Sequence, residues 1–206
     1  MKKIISIGVL FLSTVCATGQ VPPIKGHVLG ETMQQFLTVS SVMRRLVAHC
    51  RTNPNELLTD PHASVENGDV PPSCQDLLNA VDGKGTIAFT EDFADVYMAP
   101  HFFEFCGEVE FSDGRLDMLN ICLTDPWSDV YSSLIKKFGN PTSTDTIEMQ
   151  NGYGAIFYYP EATWEKPGYQ VKASEKPLGM MRYVMVELTT TVRLKQMDAD
   201  KPNSLD

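Results

Sequence analysis

The sequence predicts an α+β fold, in which two or three helices cover one face of an antiparallel sheet of about five or six strands. The order of predicted elements supports this class, because helix, helix, hairpin and helix are followed by a run of strands. Asp113-Gly114 and Asn151-Gly152 each lie between strand-like segments and predict hairpin turns, which join antiparallel neighbours. No internal repeat interrupts this order.

The first predicted helix covers residues 33–50. Thr32 is a suitable N-cap, and Gln35 three residues later completes a capping box. Apolar residues then recur at three- and four-residue steps and form one buried stripe. A second, shorter helix is predicted over 74–82, with Ser73 as its cap.

The third helix has the clearest limits. Asp125 is the predicted cap, Pro126 takes the favoured first position, and Gly139 followed by Pro141 ends the helix.

The strands are predicted from alternation and turn residues. The segment 86–98 stays ambiguous between strand and helix. The other predicted strands are 103–111, 116–123, 146–150, 153–159, 168–173 and 182–194.

The first nineteen residues predict export. Lys2 and Lys3 precede the apolar run 4–12, and small residues follow up to Gly19, which is typical of a secretory signal peptide. We expect a periplasmic or extracellular protein. Its parts are a signal peptide at 1–19, an extended lead-in at 20–31, a single α+β domain at 32–197 and a flexible tail at 198–206.

Cys16 raises a lipoprotein alternative, because an acylated cysteine would tether the chain to a membrane. Val15 before it is branched, whereas lipoprotein signals carry a small residue there, so we expect Cys16 to be removed with the leader. No later stretch approaches the roughly 18 apolar residues of a membrane helix. We therefore predict no transmembrane segment after cleavage.

The net charge of -9 argues against a nucleic-acid partner, because an acidic surface repels phosphate backbones. The expected partner is an envelope or extracellular protein or peptide.

The four cysteines beyond the leader are disulfide candidates, since no close C-x-x-C pair indicates a zinc site. Cys50 ends the first helix and Cys74 begins the second. A Cys50–Cys74 bond would fasten both ends of the proline-rich loop between them, and it is the preferred pair. Cys106 and Cys122 depend on hairpin register. If Phe111 faces Leu116, these two cysteines point to opposite faces, which is the favoured register; a tighter turn would allow a bond.

The sequence contains no nucleophile-elbow motif, no metalloprotease helix motif and no phosphate-binding loop motif. We predict no catalytic residues, no metal and no cofactor. The histidines are scattered, and a general base would form only where the fold brings one beside a carboxylate.

Aromatic residues are concentrated around one strand, from Tyr153 to Trp164. One interpretation is a central strand buried on both faces. The other places Tyr158 and Trp164 on an open face, as a platform for a ligand or partner.

Three segments carry a resemblance to known proteins: 105–111, 138–141, and 151–160 together with Trp164. In these segments the chain resembles uncharacterised small exported bacterial proteins of acidobacterial type. The element order is also similar in outline to the periplasmic domains of outer-membrane assembly lipoproteins. The matching residues are turn and core residues, so the resemblance implies no activity.

The leading hypothesis is a non-enzymatic exported domain that binds a protein, peptide or envelope component through its sheet. The alternative is a small extracellular hydrolase whose site assembles only in the fold, with His101 or His49 beside a carboxylate.

Overall fold

The computed structural model describes residues 21–58, 73–90, 107–178 and 181–200. Within them lie five helices and a seven-stranded antiparallel sheet. The helices are α1 (Met33–Val39), α2 (Ser41–Thr52), α3 (Cys74–Val81), α4 (Trp127–Phe138) and α5 (Thr191–Asp200). The strands are β1 (Thr86–Thr90), β2 (Glu108–Ser112), β3 (Arg115–Leu123), β4 (Ser143–Gln150), β5 (Ile156–Lys166), β6 (Tyr169–Leu178) and β7 (Met181–Thr190).

The α+β class is confirmed, but the fold is richer in strands and helices than predicted. The sheet order is β1-β2-β3-β7-β6-β5-β4, with all neighbours antiparallel. The ambiguous segment after residue 85 contributes β1 at one edge. The other edge is β4, which is the outer strand of the β4–β5 hairpin.

One face of the sheet, here called the helix-covered face, packs against α1 and α4. Phe36 of α1 meets Phe89 and Phe111 edge-on, with ring centroids 5.7 and 5.3 Å apart. Helix α4 buries Val130, Leu134 and Phe138, which recur at the helical spacing. The apolar core lies between these helices and the sheet.

The opposite face carries α5, so the expectation that all helices gather on one face is wrong. Arg193 Nε of α5 lies 2.7 Å from Glu110 Oε1, and both side chains are largely buried. Glu110 pairs with Met118. Successive residues of a strand point to opposite faces, and Leu119 belongs to the helix-covered core. Met118 and its partner Glu110 therefore lie on the opposite face, beneath α5.

Helix α5 also corrects the predicted end of one strand. The strand expected over 182–194 ends at Thr190, and the expected flexible tail begins inside α5, while residues 201–206 lie outside the described ranges. The polar composition of α5 hid this helix, because no residue of α5 is fully buried and the helix presents no apolar stripe.

The predicted helix over 33–50 is two helices, because Ser40 adopts an extended conformation between them with φ -73° and ψ 110°. The Ser40 hydroxyl oxygen accepts a hydrogen bond from the backbone N–H of Met43 at 3.1 Å, which caps α2. A serine whose side chain competes for backbone hydrogen bonds favours such an interruption.

Two predicted helix starts are confirmed and one is wrong. Thr32 and Ser73 each form a capping box, with Gln35 and Asp76 respectively. Helix α4 instead has Pro126 at its N-cap position, without a side-chain capping bond. Proline fits there because the first backbone N–H groups of a helix have no partner within the helix.

The β2–β3 turn has the predicted register, in which Phe111 pairs with Leu116 and Ser112 with Arg115. Gly114 has φ +69°, and a Cβ there would clash with the backbone of Gly83, so only glycine fits. A β-bulge next to Phe111 then shifts the pairing by one residue, so that Val109 faces Leu119.

The preferred disulfide is present. Cys50 and Cys74 are bonded, with their Cα atoms 4.9 Å apart, and the bond joins the end of α2 to the start of α3. Cys122 is also disulfide-bonded. A constant hairpin register would place Cys106 and Cys122 on opposite faces, but the bulge shifts that register. Cys106 lies outside the described residues.

Candidate functional site

The end of the β4–β5 hairpin presents exposed apolar side chains. We call this set the hairpin surface: Met149, Tyr153, Ile156, Phe157 and Tyr158. Tyr153 is 97% exposed and Tyr158 is 61% exposed, although large rings usually find cover in a folded domain. A cluster of such residues is typical of an interaction site.

The turn that carries the hairpin surface is held by its own hydrogen bonds. The Asn151 side-chain oxygen accepts hydrogen bonds from the backbone N–H groups of Tyr153 and Ala155, at 3.0 and 2.9 Å. The backbone N–H of Gly154, which has φ +82°, donates to the Asn151 carbonyl at 2.9 Å. The loop is therefore ordered before any partner arrives, which lowers the entropy cost of binding.

Strand β4 borders the hairpin surface as the last strand of the sheet. Among the described residues its outer edge pairs with no further strand. Every β4 residue except Ile147 is exposed. The strand contains Asp145 and Glu148 but no lysine, arginine or proline, the residues that most often protect a free edge.

The β4–β5 hairpin separates from the rest of the sheet near its tip. Pairing between β5 and β6 runs from Lys166–Tyr169 only as far as Glu161–Ser174, while β4 pairs with β5 up to Gln150–Ile156. At the base of this separation the guanidinium carbon of Arg182 lies 5.3 Å from the centroid of the buried Tyr159 ring. This cation–π contact supports the projecting hairpin from one side.

The structure separates the two residues that one of the two interpretations placed on a shared open face. Tyr158 is exposed, but Trp164 is completely buried, so the platform interpretation is wrong for Trp164. Both residues lie on the same face of β5 by alternation. The helix layer covers that face at Trp164, whose indole Nε1–H donates a hydrogen bond to the Gly139 carbonyl at 2.8 Å, and does not cover Tyr158.

Sequence reasoning did not include Met149 and Ile156 in the site. The available signal was the Asn151-Gly152 turn with apolar residues on both flanking strands. That pattern alone does not show whether the end of a hairpin projects beyond its covering helices.

The described histidines lie beside carboxylates, but in different surroundings. His27 Nδ1 lies 2.7 Å from Glu31 Oε1, and the buried ring stacks on Phe36 with centroids 4.0 Å apart, which indicates a packing role. His49 Nε2 lies 2.9 Å from Glu56 Oε2, with both side chains half exposed. His49 thus has the carboxylate neighbour that the hydrolase alternative requires, in a setting where water competes for the contact. His101 lies outside the described residues.

A cluster of polar side chains lies on the sheet face beneath α5 and includes the carboxyl of Glu108. Burial raises its pKa, the charge of Glu187 raises it further, and a hydrogen bond with Asn120 and the charge of Arg193 act in the other direction. Asn120 and Glu187 face each other across β3 and β7. The net effect favours the neutral form of Glu108.

We expect Glu108→Gln to stabilise the folded protein at pH 7 relative to the wild type. Because the folded pKa lies above the ordinary value of 4.5, the contribution of Glu108 to stability is present below pH 4.5 and is lost as the pH rises through the raised pKa. Glutamine removes the charge that burial disfavours. The check is urea unfolding at pH 4 and pH 7, with Glu165→Gln at an exposed position as control. A gain of equal size at both pH values would contradict this account.

No family model matches the chain, and no significant match was found among curated proteins or solved structures. No helix in the described ranges has both the length and the apolar character needed to cross a bilayer. In the same ranges, no three His, Cys, Asp or Glu side chains are placed to hold a metal ion. The hairpin surface and its edge strand are therefore the features of the described residues that point to a function.

Proposed function

We propose that this protein binds an extended, basic segment of a partner protein, which adds as a further strand along β4 and covers the hairpin surface. The observation that carries the proposal is the position of the exposed apolar hairpin surface directly beside a free, acidic edge strand. Neither feature is needed to complete the core, which lies under the helices.

Strand addition explains why an edge and an apolar patch occur together. The backbone N–H and C=O groups along the free edge of β4 supply hydrogen bonds to any extended chain, and pockets for alternate side chains supply selectivity. Met149 and Phe157 face each other across β4 and β5, as do Glu148 and Tyr158, so each face offers apolar contact near the tip. Apolar side chains of the partner would pack there.

Charge favours a basic partner over a second copy of this chain. Residues 143–158 contain two acids and no base. Antiparallel pairing of two β4 strands at full overlap would place Asp145 of one copy opposite Glu148 of the other, and like charges directly opposite are destabilising. Lysine or arginine on an added strand would instead meet these carboxylates. The affinity should therefore fall as salt increases.

We also propose the exported location that the leader predicts, with a partner in the envelope or the extracellular space. The Cys50–Cys74 disulfide supports this proposal, because such bonds persist in oxidising compartments.

The test uses two eight-residue peptides, one alternating lysine with valine and one alternating glutamate with valine. We expect the lysine peptide to bind at least tenfold more tightly in fluorescence anisotropy at low salt. Tyr158→Ser should weaken its binding about tenfold, because an exposed ring that becomes buried supplies about 1.5 kcal/mol or more.

The matched control is Val192→Ser, which removes an apolar side chain of similar exposure from α5. This variant should bind the lysine peptide like the wild type. Equal affinity for both peptides, or equal losses in Tyr158→Ser and Val192→Ser, would refute the proposed interface.

A further inference from the structure

A cavity of about 400 Å³, open to solvent on one side, lies between α4 and the helix-covered face of β3 and β7, away from the hairpin surface. The N-terminal segment around Ile24 forms one of its walls. Sites for small molecules fall in the range of about 300–1,000 Å³, so this cavity is at the lower end of that range. At about 30 Å³ for each non-hydrogen atom, as in liquid water, it holds roughly a dozen such atoms.

The inner wall of the cavity is apolar and comes from four parts of the chain. Strands β3 and β7, helix α4 and the N-terminal segment all contribute aliphatic side chains, most of them buried. These side chains are Ile24, Ile121, Leu123, Val130, Leu134 and Val186.

The remaining lining groups carry balanced charge: Lys25 and Lys137 are basic, Asp125 and Asp129 are acidic, and Ser133 adds a hydroxyl. Helix α4 supplies Asp129, Ser133 and Lys137 at four-residue steps, which places them along one side of the helix. A ligand with a single charge would meet two like charges as well as two opposite ones. A ligand that carries both signs avoids that repulsion.

The backbone places Lys25 at this site in a strained conformation. Ile24 and His27 exchange two backbone hydrogen bonds of 2.9 Å, which leaves Lys25 and Gly26 as a two-residue turn with φ +52° and +89°. A left-handed conformation is strained for a non-glycine residue, and such strain clusters at functional sites. Lys137 Nζ donates a hydrogen bond of 2.6 Å to the Pro23 carbonyl, which fixes the N-terminal segment against α4.

We infer that this cavity binds a small zwitterion with an apolar body, of which an apolar α-amino acid is the simplest example. The apolar body fills the aliphatic wall. The carboxylate of the ligand is bound by the lysines and its ammonium group by the aspartates. L-Phenylalanine is a suitable probe, because it combines an apolar ring with both charges in a molecule that the cavity can hold.

The test is isothermal titration calorimetry with three matched probes. These are L-phenylalanine, 3-phenylpropanoate, which lacks the ammonium group, and 2-phenylethylamine, which lacks the carboxylate. We expect L-phenylalanine to bind at least tenfold more tightly than either analogue. Equal affinities of the three probes, or no detectable binding of L-phenylalanine at millimolar concentration, would overturn the inference.

Two variants localise the binding. Ser133→Phe places a ring in the cavity from an exposed position of α4 and should weaken L-phenylalanine binding at least tenfold, whereas Ser132→Phe at the neighbouring exposed position should not. Asp129→Asn removes one negative charge without changing the shape of the side chain. It should weaken binding of L-phenylalanine but not of 3-phenylpropanoate, which has no ammonium group. If Ser132→Phe and Ser133→Phe weaken binding equally, or Asp129→Asn affects both probes equally, the ligand does not occupy this cavity as inferred.

Discussion

Trp164→Ala is expected to lower the free energy of unfolding by about 3–5 kcal/mol, the usual range for removing a buried tryptophan from a core. The side chain is completely buried, and its ring centroid lies 6.1 Å from that of Tyr131 in α4. Its loss opens a cavity between α4 and β5. It also removes the hydrogen bond to the Gly139 carbonyl, which lies just beyond the end of α4.

Urea unfolding followed by circular dichroism measures this loss. Trp127→Ala is the matched control, because Trp127 is the other tryptophan of the chain, is only partly buried and stacks on Tyr131 from the start of α4, with centroids 5.4 Å apart. We expect a much smaller loss there. If the two variants lose equal stability, Trp164 does not hold α4 to the sheet as described.

Removing the Cys50–Cys74 disulfide is expected to cost roughly 3 kcal/mol, because the bond closes a loop of sequence separation 24 and limits the conformations of the unfolded chain. For a chain of this size, the midpoint of thermal unfolding should fall by roughly 6–12 °C. The double variant Cys50→Ala/Cys74→Ala, measured by calorimetry without reductant, tests the change.

A reductant control separates this bond from the one that Cys122 makes. When a reductant is added to the double variant, the unfolding midpoint should fall only by the contribution of the Cys122 bond. Added to the wild type, the reductant should produce a larger fall in the unfolding midpoint. An unchanged midpoint in the oxidised double variant would mean that the loop is already constrained by other contacts.

Features that depend on a few neighbouring residues could be predicted from the sequence. The capping boxes at Thr32 and Ser73 need only a hydroxyl and a suitable side chain three residues on. The Cys50–Cys74 pair was predicted because both cysteines lie at helix ends beside one loop. The α+β class was predicted for the same reason, since it depends on the order of local elements.

Features that depend on packing between distant segments could not be predicted in this way. The burial of Trp164 and the exposure of Tyr158 on one strand face depend on where α4 ends over the sheet. The bulge beside Phe111 changes the register without a glycine or proline to mark it. Helix α5 has no apolar stripe, so its position on the sheet follows from contacts such as Arg193–Glu110.

Hydrogen–deuterium exchange of β4 with and without the lysine–valine peptide is the most direct measurement of the proposed interface. An added strand would pair with the free backbone N–H groups along the outer edge of β4, and paired amides exchange more slowly. We predict that alternate amides within Ser143–Gln150 become at least tenfold slower to exchange while α5 is unchanged. Unchanged exchange along β4 at saturating peptide, or protection confined to another part of the chain, would contradict strand addition at this edge.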